Sequence, residues 1–170
     1  MHEPDPDLIP LEVAGVRRQL PGDDLIVLLH EPERELVLPI VVGPAEATSI
    51  AVAVEGVVPP RPLTHDLLRD VIEATGNEVD HVEITELLDG VFHAAVVLGS
   101  GVRVDSRASD AIGLAVRTGS PVLCAQAVLD VAGVDTSGGE DDREIERFRE
   151  FLDSVEPEDF EAGEPPGPSP

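Results

Sequence analysis

The chain has 170 residues, 42 % of them hydrophobic and 2 % aromatic, with four Phe and no Tyr or Trp. This length suits one compact domain with room for a tail, and its core must come from Val, Leu, Ile and Ala, which favours a sheet with helices over an aromatic-rich sandwich. The formal net charge of −24 and the pI near 4.2 exclude the basic stripe through which proteins grip nucleic acid tightly without sequence preference.

Residues 1–133 carry 8 Arg against 22 Asp or Glu, and residues 134–170 carry 3 against 13, so the acidity is concentrated towards the end without being confined there. Phe92 is the single aromatic of residues 1–133 available for base stacking. Nucleic-acid binding is therefore expected to be weak or bridged by metal, because bound divalent ions reverse the local sign of the field. No apolar run reaches the roughly 20 residues of a membrane helix. The opening Met1-His2-Glu3-Pro4-Asp5 is acidic where a signal peptide is basic, and one Cys gives no disulfide framework. A cytoplasmic location is expected.

Residues 8–20 read as a first strand, Leu25 to His30 as a second and Leu36 to Val42 as a third, with a turn at Glu31-Pro32-Glu33-Arg34. Their continuous apolar runs predict strands covered on both faces. Gly43-Pro44 opens a helix running to about Val57, with Glu46 in its first turn. After the rigid connector Pro59-Pro60-Arg61-Pro62, Thr64 is the expected N-cap of a second helix that buries Leu67, Leu68, Val71 and Ile72 and ends at Gly76. Val79 to Leu88 and Val91 to Leu98 are strands joined at Asp89-Gly90, a hairpin turn. A short strand at Val102 to Asp105, a helix from about Ser109 to Thr118, a strand at Pro121 to Ala125 and a short helix at Val128 to Ala132 complete the domain.

The fold class is thus α/β, α+β mixed: a single compact domain with a mixed sheet, strand hairpins and three to four helices, plus a C-terminal acidic helix. The expected divisions are a domain over 8–133, a linker over 134–141, an acidic amphipathic helix over 142–155 with Ile145, Phe148, Phe151, Leu152 and Val155 on one stripe, and a Pro/Gly/acid-rich disordered tail over 156–170.

No P-loop, GxGxxG, GxSxG, HExxH or CxxC pair is present. Weaker constellations remain. His65-Asp66 joins a residue suited to proton transfer near neutral pH with a hard oxygen ligand for Mg²⁺ or Mn²⁺, although a first-turn acid beside a solvated His explains the same pair. Arg107-Ala108-Ser109-Asp110 lies at a strand-to-helix junction where free N–H groups and Arg107 suit a phosphate and Ser109 caps or donates a hydrogen bond; a capped helix with a local Arg–Asp pair is the plainer account. Glu46 is a ligand or a first-turn acid. On the hairpin, a two-residue turn sets Glu86 opposite His93 and turns His81 to the other side, a pattern for a cross-strand ion pair more than for a metal. Cys124 reads as a small buried hydrophobe. The helix openings at Glu46 and Asp110 resemble each other, as short Ala-rich helices often do.

Two separated runs carry a family resemblance. Leu38-Pro39-Ile40-Val41-Val42-Gly43-Pro44-Ala45-Glu46-Ala47, continued through Glu55-Gly56-Val57 and Pro59-Pro60-Arg61-Pro62-Leu63-Thr64-His65-Asp66-Leu67, strongly resembles the bifunctional nuclease domain family. Val104-Asp105-Ser106-Arg107-Ala108-Ser109-Asp110-Ala111-Ile112, through Arg117-Thr118-Gly119-Ser120-Pro121-Val122, resembles its second signature, with Ala108 where the family usually has Pro. The likeness spans roughly residues 8–133. It implies a compact α/β domain that forms oligomers and a nuclease label covering DNA and RNA, with the family's polar signature falling on Glu46, His65, Asp66, Arg107, Ser109 and Asp110.

The expectation is a metal-assisted phosphodiesterase. Glu46, Asp66 and Asp110 hold one or two Mg²⁺ or Mn²⁺ ions, His65 activates water or protonates the leaving oxygen, Arg107 stabilises charge on phosphate and Ser109 assists by hydrogen bonding. DNA and/or RNA is the substrate and the chain is a homo-oligomer. The alternatives are a non-catalytic anion- or metabolite-binding module, and an adaptor whose acidic C-terminal helix engages a basic partner.

Overall fold

The computed structural model describes residues 7–137. The chain divides into Met1–Asp135 and Thr136–Pro170, and of the second unit only Thr136 and Ser137 are described. The expected helix over 142–155 and tail over 156–170 lie outside the described residues.

The element order is β1 (Leu8–Gln19), β2 (Asp24–Glu31), β3 (Leu36–Val42), α1 (Pro44–Val54), α2 (Thr64–Ala74), β4 (Val79–Leu88), β5 (Val91–Leu98), β6 (Arg103–Arg107), α3 (Ala108–Thr118), β7 (Val122–Ala125), α4 (Gln126–Ala132) and β8 (Val134–Asp135). The strands form one mixed sheet in the order β6-β5-β4-β7-β1-β2-β3-β8, in which β4 and β7 are parallel and the other pairs antiparallel. The mixed α/β class agrees with the sequence. Val134 and Asp135, assigned above to a linker, instead pair with Val37 and Leu36 at the sheet edge.

Val27, Leu29, Leu38, Ile40, Val82, Ile84 and Cys124 from the strands meet Ile50 of α1 and Ile112 and Leu114 of α3 in one core. Full burial of each such aliphatic side chain stabilises by about 1.5–3 kcal/mol. Burial alternates along β2 and β3, so coverage on both faces is not what forms among the described residues: Ile40 and Val42 are buried while Val41 between them is 63 % exposed. In an antiparallel pair one face can meet the core while the other faces water, even where both are apolar.

Three local expectations are corrected. α1 stops at Val54, not Val57, because Gly56 takes a left-handed φ of 69° that lets its N–H reach the Ala53 carbonyl and the Val57 N–H reach the Val52 carbonyl, a Schellman ending. α2 is capped by Leu63 and not Thr64: the Asp66 carboxylate, three residues on, accepts the Leu63 N–H at 2.9 Å. Its Leu67, Leu68 and Val71 are exposed, and the buried residue is His65. α2 meets α3 through His65, and of the expected stripe Ile72 is partly buried against the core while Leu67, Leu68 and Val71 point away from it.

The hairpin turns at Asp89-Gly90 as expected, and Glu86 lies opposite His93. A bulge between Ile84 and Glu86 moves the register by one residue. His81 is opposite Val97, which shares a β5 face with His93, so His81 and Glu86 fall on the same face and not on opposite ones.

Candidate functional site

Three helix starts build the site. Glu46, Asp66 and Asp110 are each the third residue of their helix, where a carboxylate offsets the helix dipole, and Arg107 is the N-cap of α3. Propensity alone therefore explains the acids, while their partners give them further roles. Arg107 donates from Nη1 to Glu46 Oε1 at 2.9 Å and from Nε to Asp110 Oδ2 at 2.7 Å. The other oxygen of Asp110 is 3.0 Å from His65 Nε2. The far ring nitrogen, Nδ1, is 2.8 Å from Ser49 Oγ, which also accepts from Arg117 Nη2 at 3.0 Å. Arg117 in turn donates from Nε to Asp66 Oδ1 at 2.8 Å, and to the carbonyls of Gly113 and Ser49. One continuous hydrogen-bonded chain thus runs Glu46–Arg107–Asp110–His65–Ser49–Arg117–Asp66.

The residue types fix much of the proton bookkeeping. Arg117 only donates, so Ser49 Oγ accepts from it, and the Asp110 carboxylate only accepts. Nε2 then carries the imidazole proton and points it at Asp110. Gly113 makes room for this: a Cβ there would lie 3.2 Å from the His65 ring. With His65 buried and both nitrogens engaged, its direct action lies on Asp110.

Electrostatics follow the contacts. Burial raises the Asp110 pKa, but hydrogen bonds from Arg107 and His65 outweigh it and hold the carboxyl below its ordinary value of 3.8. Burial likewise acts against the Asp66 carboxylate and is outweighed by the Leu63 N–H and Arg117, so its pKa is also lowered. Glu46 is held low first by its own backbone N–H and then by Arg107. All three are carboxylates at neutral pH.

The structure brings together Glu46, His65, Arg107 and Asp110. Asp66 lies at the far end of the chain of hydrogen bonds, bound to Arg117, and does not join Glu46 and Asp110. Ser109 is half-buried and does not cap α3, because the backbone before it already turns at Arg107. Among the described residues no three His, Cys, Asp or Glu side chains are grouped as metal ligands. Glu46 and Asp110 are both engaged by the Arg107 guanidinium.

Ser49, Gly113 and Arg117 were missed in the sequence. Their signal was helical spacing: Ser49 is one turn beyond Glu46, and Gly113 and Arg117 are one and two turns beyond Asp110, on the same faces. Elsewhere, His81 donates from Nδ1 to Asp80 Oδ2 (2.6 Å) and from Nε2 to Glu83 Oε1 (2.8 Å), and Arg103 of β6 also binds Glu83. This ion-pair group lies within β4 and β6, apart from the expected pairing with His93. Cys124 is buried, and burial pushes its thiol up to about 12, as its reading as a small hydrophobe requires.

Residues 27–137 match the family model of the bifunctional nuclease domain. The chain belongs to the bifunctional nuclease domain family. Both signature runs quoted above lie inside that match. This family member is 40 % identical over 160 residues to an uncharacterized protein of Mycobacterium tuberculosis, covering 89 % of this chain and 98 % of the relative. It is also 28 % identical over 103 residues to bifunctional nuclease 1 of Oryza sativa subsp. indica, covering 57 % of this chain and 31 % of the rice protein. A protein of Oryza minuta called bifunctional nuclease matches over the same shares. No helix among the described residues of this bifunctional nuclease domain protein is long and apolar enough to cross a membrane.

Proposed function

We propose that the chain is a nuclease that hydrolyses phosphodiester bonds of DNA and/or RNA at the Arg107–Asp110 end of the hydrogen-bonded chain, in the cytoplasm. The observation that carries this reading is Arg107: its side chain is 65 % exposed, yet it is aimed by two carboxylates and stands beside a carboxylate backed by a buried imidazole. Ion pairs of so exposed a cation are worth little in water, so a phosphate can replace Glu46 or Asp110 at low cost. Arg107 then holds the phosphate and offsets the charge that grows on it. Asp110, released from the guanidinium but still bound by His65, accepts a proton from the attacking water as the bond from phosphorus to the leaving oxygen breaks, and that oxygen takes its proton from solvent. His65 positions Asp110, and Ser49 holds the far nitrogen of the imidazole ring.

A divalent ion arriving with the substrate would be held by Glu46 and Asp110 and would supply charge neutralisation at the phosphate. It would also lessen the repulsion set by the net charge of −24. The same exposed guanidinium serves the alternative, a non-catalytic anion-binding module, and the acidic surface favours that rival. The exposed Leu67, Leu68 and Val71 on α2 support association of copies.

Cleavage of labelled single- and double-stranded DNA and RNA, with Mg²⁺, Mn²⁺ or EDTA, tests the reading. Asp110→Asn and Arg107→Gln proteins prepared alongside control for host nucleases. Cleavage lost in both variants supports it. Equal cleavage by all three proteins assigns the activity to a contaminant, and binding of phosphate esters without cleavage selects the anion-binding module.

A further inference from the structure

A cavity of about 310 Å³ opens at the Asp66 end of the same hydrogen-bonded chain, between the end of α1, the Pro-rich connector and the facing sides of α2 and α3. Val52, Val57, Pro59 and Val116 form its apolar side, and three charged side chains, Asp66, Arg69 and Arg117, line the rest. Small-molecule sites have this make-up, an apolar hollow of a few hundred Å³ with a few fixed polar groups.

The charges say what class of group belongs there. Arg117 is neutralised by Asp66, and Arg69 by Asp70, to which it donates from Nε and Nη2. The hollow presents the Asp66 carboxylate as its acceptor, which disfavours a phosphate. It suits a neutral, flat group with N–H donors. Each Asp66 oxygen takes one hydrogen bond, from Arg117 or from the Leu63 N–H, and keeps a second lone pair free. The Arg69 guanidinium, its plane tied to Asp70, offers a stacking surface for a base.

We propose that this cavity is a nucleobase subsite for a base splayed out of a single strand whose phosphate lies at Arg107, and that guanine is the base it takes best. Guanine alone of the four RNA bases carries two adjacent N–H donors on its Watson–Crick edge, the pair a carboxylate accepts together. The subsite deepens the nuclease reading and rests on it for the position of the strand, but base binding is measured without cleavage.

Guanosine, adenosine, cytidine and uridine, which lack the phosphate, are titrated into the full chain and followed by calorimetry or amide chemical shifts. Guanosine binds about tenfold more tightly than the others, as expected where a site's polar groups lose a partner. Ala53→Leu, which fills the cavity, and Val57→Ala, which removes an exposed wall, both weaken guanosine, the first by at least about tenfold, with melting temperatures close to the parent's. Arg107→Gln leaves guanosine affinity unchanged. No saturable nucleoside binding, equal affinity for all four, or guanosine binding that Ala53→Leu does not weaken overturns the subsite. Cleavage with no nucleoside binding leaves the nuclease standing and removes the subsite. Cavity-dependent guanosine binding with no cleavage does the reverse.

Discussion

Arg107 and Arg117 sit at opposite ends of one hydrogen-bonded chain and differ chiefly in water. The Arg107 side chain is 65 % exposed and that of Arg117 is 4 % exposed, yet each binds a first-turn carboxylate at about the same distance. An exposed pair is exchangeable, because water and salt compete with it at little cost. A buried pair is not: removing one partner strands the other charge in a poor solvent. The same chemical pair is therefore exchangeable at one end, where a ligand can displace it, and fixed at the other, where it holds Asp66 in place beside the cavity. His65 and Ser49 join the two regimes.

The widest separation of the two ends comes from the arginines themselves. Arg107→Gln is expected to lower cleavage by about 100-fold or more, the usual cost of losing a charge-stabilising donor, while its melting temperature stays near the parent's. Arg117→Met is expected to cost about 3 kcal/mol, or about 10 °C in Tm, since it leaves the Asp66 carboxylate without its guanidinium partner. A large Tm loss for Arg107→Gln, or none for Arg117→Met, would break the contrast.

Gly113→Ala tests the junction between the ends. The new methyl would press on a ring held at both nitrogens, so overpacking outweighs the gain in helix propensity and a net loss of about 1 kcal/mol is expected in urea unfolding. Acid titration gives the smallest effect. Asp66 and Asp110 have pKa values below their ordinary 3.8, so the stability they contribute is fully present above that value and is lost as pH falls through the lowered ones. Added salt should weaken the Asp110 share more than the Asp66 share, measured as a flatter acid limb for Asp66→Asn than for Asp110→Asn in 0.5 M salt, roughly.

Most of the fold was legible because its signals are local. Gly43-Pro44, Asp89-Gly90 and the apolar runs place α1, the hairpin and β1 to β3 within a residue or two at their starts. What was not legible depends on partners distant in the chain. The α2 stripe of Leu67, Leu68 and Val71 has helical spacing, but spacing does not say whether the face it defines meets this domain. The bulge near Thr85 changes which side His81 faces without leaving a mark in the polar pattern. At the site, Glu46, His65, Arg107 and Asp110 were found as helix-start polar residues and do meet, whereas Asp66, chosen by the same criterion, turns to Arg117. Ser49 and Arg117 escaped because a mid-helix Ser and a last-turn Arg are ordinary residues until a buried imidazole is placed between their helices.

The placement of all three acids in first turns bears on the order of folding. Each can favour its own helix before any tertiary structure exists, whereas the bonds that join the helices span 61 residues from Glu46 to Arg107, 68 from Ser49 to Arg117 and 45 from His65 to Asp110. Closing such long loops is slow and yields little until neighbouring contacts are in place. The network is thus expected to form after the rate-limiting step, and Arg117→Met to raise the unfolding rate in a chevron while hardly changing refolding. The site would then be the last part of the domain to assemble and the first to come apart.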